Sequence, residues 1–187
     1  MDEFGYLSVL ISIVLGFALA NLLTGMAALV RARANTKIYW PALMWMALVF
    51  VVTVQSWWQM FTLRVVQRWH FGAFLVVMMQ PVLLFLMSAI IVPNVVDGSA
   101  VDLRARFYRE RRWFFGVQIG YVCVSASKDI VLYGHVPRGM TLAGHTAYFT
   151  LALCAFSIRN ENFQKAVVII ALAIDACYVG SLLLTLA

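Results

Sequence analysis

Four ionisable side chains fall inside apolar stretches of this chain: Lys128, Asp129, His145 and Asp175. Charge is expensive in hydrocarbon, so such groups pair with one another, face a cavity, or hold and pass ions and protons. Gln118, Ser125 and Asp129 fall on one helical stripe, and Tyr178 stands about one turn beyond Asp175. Counted at about 1.5 Å per residue from the flanking arginines and lysines, Lys128, His145 and Asp175 reach the same half of a bilayer. Lys128, Asp129, Asp175, His145, Ser125, Gln118 and Tyr178 are therefore expected to form one intramembrane polar site between the last three spans. Two readings of it stand. One is a structural ion pair of Lys128 with Asp175 or Asp129 that holds spans in register; the other is a site for a proton, an ion or a small solute. Lys128 alone has a third option, snorkelling toward water.

Other chemistries lack their residues. Cys123, Cys154 and Cys177 are scattered through apolar spans with no CxxC spacing, which reads as small core hydrophobes. His70, His135 and His145 show no HxxxH or HExxH spacing, so neither a metal nor a haem is expected, and no cofactor is assigned. GxSxG and phosphate-cradling glycine loops are missing too, and no catalytic residue is assigned.

The elements that position these groups follow from composition. Of 187 residues, 64% are hydrophobic and 12% charged, and the mean hydropathy is +0.89. Soluble domains carry about 25% charged residues, so lipid is the solvent implied here. Residues 1–187 read as one all-α transmembrane domain with six spans, at about 4–30, 38–63, 71–92, 113–133, 140–158 and 163–186. Helices are the form expected, because unpaired backbone is too costly in lipid and no barrel-like alternation occurs. The acidic start, Met1-Asp2-Glu3, lacks the basic region of a cleaved signal, so the first span is expected to stay.

Net charge is +6, which in a soluble protein would point to nucleic acid. Here the cations sit between spans. Arg31, Arg33 and Lys37, the arginines from Arg104 to Arg112, and Arg159 with Lys165 occupy the odd loops; Arg64, Arg68 and Arg138 occupy the even ones. That ten-to-three bias excludes nucleic acid, places the odd loops in the cytoplasm and puts both termini outside. The long third loop divides the chain into two halves of three spans, a division shared with inverted-repeat transporters. Within it, Ser99 and Asp102 read as a capping box that opens a short interfacial helix, Ala100–Arg112, with Ala100, Leu103 and Phe107 on one side. Docking on an anionic leaflet and a plain basic elbow are equally good accounts of it.

Packing signals are also present. Ser8, Ser12, Gly16, Ala20, Thr24 and Ala28 repeat every four residues along span one, and Gly116 and Gly120 form a GxxxG pair in span four. Such stripes let helices approach closely, and packing within one protomer is expected ahead of a homodimer face. Asn21, Gln55, Gln59, Gln80 and Gln118 are expected to bridge helices, each at about 0.6 kcal/mol. Pro81 behind Gln80 predicts a kink. Trp45 lies too deep for the interfacial aromatic belt and is expected inside the bundle.

Tyr6-Leu-Ser-Val-Leu-Ile-Ser-Ile-Val-Leu-Gly16, Leu22-Leu-Thr-Gly25, Tyr39-Trp-Pro41, Gln55-Ser-Trp-Trp58 and Arg111-Arg-Trp-Phe-Phe115 together resemble a group of small bacterial polytopic membrane proteins. That resemblance implies a bacterial inner-membrane location and carries no activity with it. The functional expectation is an ion, proton or small-solute pathway lined by spans four to six. Its rival is an accessory, scaffold or sensory subunit that acts through helix contacts with a second copy or another membrane protein.

Overall fold

Long apolar runs set the elements of this chain, and capping side chains open some of them. The computed structural model describes residues 3–66, 69–93 and 101–184. Helix α1 (Glu3–Arg31) ends on Arg31, a cation at the negative end of the helix dipole. Helix α2 (Trp40–Gln59) carries Pro41 in its first turn, where the missing N–H is not needed, and runs into a 3-10 turn at Met60–Val65. Helix α3 (Phe71–Ile91) is opened by His70, whose Nδ1 accepts from the Ala73 N–H at 3.1 Å. Helix α4 (Leu103–Tyr133) is opened by Asp102, which accepts from the Ala105 N–H at 2.9 Å. Gly134, at φ +70°, closes it in the left-handed conformation that glycine adopts without strain. Helices α5 (Gly139–Ser157) and α6 (Glu161–Leu184) complete the bundle. Two short strands, β1 (Thr36–Lys37) and β2 (Val101–Asp102), pair in parallel with Thr36 opposite Val101.

Five of these helices, α1, α2, α3, α4 and α6, are long and apolar enough to cross a membrane. The chain is a multi-pass membrane bundle. Helix α5 is not among the five; Thr141, His145, Thr146 and Thr150 dilute its apolar surface.

Helix α4 corrects the expectation for the third loop. There is no separate interfacial helix at Ala100–Arg112: the arginine-rich segment and span four form one continuous helix of 31 residues. Leu103 and Phe107, read as a lipid-docking stripe, are buried against the bundle instead. The protein core competes for the same apolar side chains and holds them in dry, close-packed contact. Asp102 is the cap; Ser99 and Ala100 lie outside the described residues.

Helix α4 packs chiefly on α3 and α5, α1 lies across α3, and α6 reaches both α5 and α2. At the centre, Trp45 meets Phe114 and Phe115 edge-on, with ring centroids 5.4 and 5.3 Å away. The expectation that Trp45 packs inside the bundle holds.

Helix α1 turns the other way from its expected face. Leu7, Ile11, Leu15, Ala18, Leu22, Gly25 and Leu29 form its buried side, at steps of four or three residues. Gly16, Ala20 and Thr24 are exposed, and no atom lies within 4 Å of a side chain built at Gly16. The small-residue stripe thus makes no helix contact at these three positions; the leucine side fills more volume and wins the core. Close approach occurs one stripe over, where a Cβ on Gly25 would collide with the Val92 side chain. Gly116 and Gly120 leave ordinary room, with Phe156 and Leu83 at 3.8 and 3.9 Å. The GxxxG pair marks no tight crossing.

Candidate functional site

One end of the bundle gathers the basic residues. The last carbonyls of a helix have no partner within it, and cations are favoured there. Arg111, only 5% exposed, sends Nη1 to the carbonyl oxygens of Ala155 and of Ile158, the latter at 2.7 Å. Gln164 Nε2 donates to the same two oxygens at 2.9 and 2.7 Å. Arg106 Nη2 donates to the Val92 carbonyl at 2.7 Å and more loosely to that of Ile90. One helix therefore caps the C-termini of both its neighbours, α5 and α3. Arg104 and Lys165 both pair with Glu161, Lys37 stands 3.9 Å from Asp102, and the hydroxyls of Tyr39 and Tyr108 are 3.3 Å apart. These contacts join the α1–α2, α3–α4 and α5–α6 connections at a single end, so successive helices alternate in direction.

Toward the other end lies a track of polar side chains across four helices. Gln55 and Gln59, one turn apart on α2, face α6: Gln55 Nε2 donates to Asp175 Oδ1 at 3.1 Å, and Gln59 Nε2 to the Tyr178 hydroxyl at 2.8 Å. Their neighbour Ser56 faces inward, 3.3 Å from the Tyr121 hydroxyl on α4. That hydroxyl accepts from Gln80 Nε2 at 3.2 Å, and Gln80 Oε1 accepts from Lys128 Nζ at 3.2 Å. Two hydrogen-bonded runs thus abut at Gln55 and Ser56 on α2, one ending at Asp175 and the other at Lys128, each of these held by the amide of a glutamine. On the Lys128 side lies a cavity of about 20 Å³ lined by Ser56, Gln59, Gln80 and Lys128 among apolar side chains. Val77 and Pro81 also line it. Pro81 has no N–H, so the carbonyl of Val77 lacks its helical donor at this point.

The structure divides the residues expected to form one site. Lys128, Asp175 and Tyr178 belong to the track. No ion pair joins Lys128 to either aspartate among the described residues, so the expected structural pair is not formed. Amide partners from α2 and α3 take its place, and these helices, not α5, complete the site. Ser125 and His145 form a separate pair across α4 and α5, 2.9 Å from Oγ to Nε2. Gln118 is buried, and its amide oxygen has no partner among the described residues. Asp129 is half-buried beside Lys128. Tyr121 and Ser56 are the track members least visible in sequence, although Tyr121 lies on the Lys128 stripe and Ser56 sits between the two bridging glutamines. Asn21 bridges as expected, its Nδ2 donating to Ser88 Oγ at 3.2 Å.

No protein family, curated protein or solved structure matches this chain, and the functional reading rests on the geometry above.

Proposed function

We propose that this chain is a six-span protein of the bacterial inner membrane whose polar track holds and passes protons, with the basic end in the cytoplasm and both termini outside. The observation that carries the reading is the polar track from Asp175 to Lys128 across four helices, two hydrogen-bonded runs, Asp175–Gln55 and Ser56–Tyr121–Gln80–Lys128, that abut at adjacent residues of α2. Its ends are a carboxylic acid and an amine, and its middle is built from the Tyr121 and Ser56 hydroxyls, which can donate and accept alike. A cavity of about 20 Å³ admits one water and no solute, which narrows an ion or solute pathway to protons. The side assignment rests on the ten-to-three loop bias. Six crossings, three in each half, rest on the meeting of alternate connections at one end. Purified protein in liposomes loaded with a pH-sensitive dye tests the reading under a potassium diffusion potential. The expected result is faster acidification than in protein-free liposomes; equal rates would end it.

A second reading, an accessory or sensory subunit that works through helix contacts, is favoured by the exposed Gly16, Ala20 and Thr24 face of α1. Gly16→Cys separates the two: disulfide-linked dimers in native membranes, together with no proton flux, would select it.

A further inference from the structure

Ser125 and His145 take no part in the track, yet their geometry is that of a nucleophile and its base. His145 Nδ1 lies 2.8 Å from the carbonyl oxygen of Thr141. A carbonyl can only accept, so Nδ1 carries the proton, and the neutral ring then offers its Nε2 lone pair to the Ser125 hydroxyl at 2.9 Å. Orientation of the imidazole through its second nitrogen is the arrangement that activates a serine; here a backbone carbonyl supplies what a carboxylate supplies in a triad. Both residues are partly exposed, and Cys123, Ser127, Leu142 and Thr146 around them are exposed, so the α4–α5 seam is open to lipid. The first turn of α5 has no side-chain cap on its N–H groups. Thr141 lies there, about 6 Å along the axis from His145. Unpaired N–H groups of this kind stabilise an oxyanion.

We propose that Ser125 and His145 are a catalytic pair that hydrolyses acyl esters reaching the α4–α5 seam from the lipid. Ser125 Oγ bonds to the ester carbonyl carbon while its proton passes to His145 Nε2. The carbon–oxygen bond to the leaving group breaks, and the departing alkoxide takes that proton and leaves as an alcohol. Water then attacks the acyl-serine, giving a proton to Nε2 that returns to Ser125 Oγ as the carboxylic acid departs. Ester and water are consumed, and alcohol and acid are formed.

An alkyl fluorophosphonate on the full chain in lipid nanodiscs, read by intact mass and peptide mapping, tests the pair. The expected outcome is one adduct, on Ser125, formed at least about ten-fold more slowly in His145→Gln. No adduct on Ser125 in the unmutated protein, or an unchanged rate in His145→Gln, would overturn it. Ser125→Cys covers the case in which His145→Gln does not fold. Its thiol should react with iodoacetamide faster than Cys123 on the same helix, and equal rates would contradict a base at Nε2.

Discussion

The two ends of the bundle solve the problem of charge differently. At the basic end, cations meet carboxylates and bare helix carbonyls: Arg111 and Arg106 close α5 and α3, and Glu161 gathers Arg104 and Lys165. In the other half, Lys128 and Asp175 are kept apart, each on the amide of a glutamine. An ion pair in a low-dielectric interior is hard to separate once formed, and removal of one partner strands the other. Amide partners carry no charge, so an acid and an amine held this way can change protonation without breaking a salt bridge. Under the proposed function, one end of the molecule stays fixed and the other changes state.

The largest expected effect falls on the fixed end. Arg111→Met removes charge-assisted bonds to a buried carbonyl and a part-buried one, a loss of about 3 kcal/mol. That corresponds to about 6–12 °C in melting temperature for a chain of this size. Thermal unfolding in detergent checks it, and an unchanged melting temperature would show that Gln164 alone suffices as the cap. Next comes helix α1. Gly25→Leu drives a side chain into Val92 and should cost about 1–3 kcal/mol, whereas Gly16→Leu meets open space and should leave stability unchanged. Equal losses at the two sites would mean that the Gly16 face is covered.

Smaller effects are expected along the track. Gln80→Leu leaves Lys128 and the Tyr121 hydroxyl without their shared partner and should cost about 1–2 kcal/mol. Gln55→Leu strands Asp175 alike. A gain in stability in either variant would argue that the track is maintained for function at the expense of packing. The smallest effect is expected at Glu161→Gln, whose pairs are partly exposed and screened by salt. Its melting temperature at 0.5 M salt should match that of the unmutated protein.

How much of this was legible in sequence varies with the physics of each element. Span three, read at 71–92, is the helix Phe71–Ile91, because a strongly apolar run, broken only by Gln80, Pro81 and Ser88, between a capping histidine and a proline leaves little else. Five arginines lower the hydropathy of the first turns of α4, so hydropathy alone starts span four at 113. They are tolerated since Arg106 and Arg111 bond to carbonyls of neighbouring helices, a partner type that no one-dimensional pattern reveals. The stripe on α1 has the spacing of a packing face, yet spacing cannot say which side of a helix the rest of the bundle will cover. At the site, Lys128, Asp175 and Tyr178 were found from the cost of burying polar groups. Gln55, Gln59 and Gln80 bridge helices as expected, but which groups they hold is not legible, because charge suggests a charged partner for Lys128 and Asp175. Ser125 and His145 were expected in the same site and instead stand apart from it.

The central claim is that Asp175 exchanges protons on the track and is not merely a structural anchor. Asp175→Asn keeps an acceptor oxygen for Gln55 and removes the exchangeable proton, so its proton flux and its unfolding, measured side by side in one liposome preparation, are the direct test. The account predicts a melting temperature within about 2 °C of the unmutated protein and flux reduced to that of protein-free liposomes. Full flux in a folded Asp175→Asn protein would contradict it.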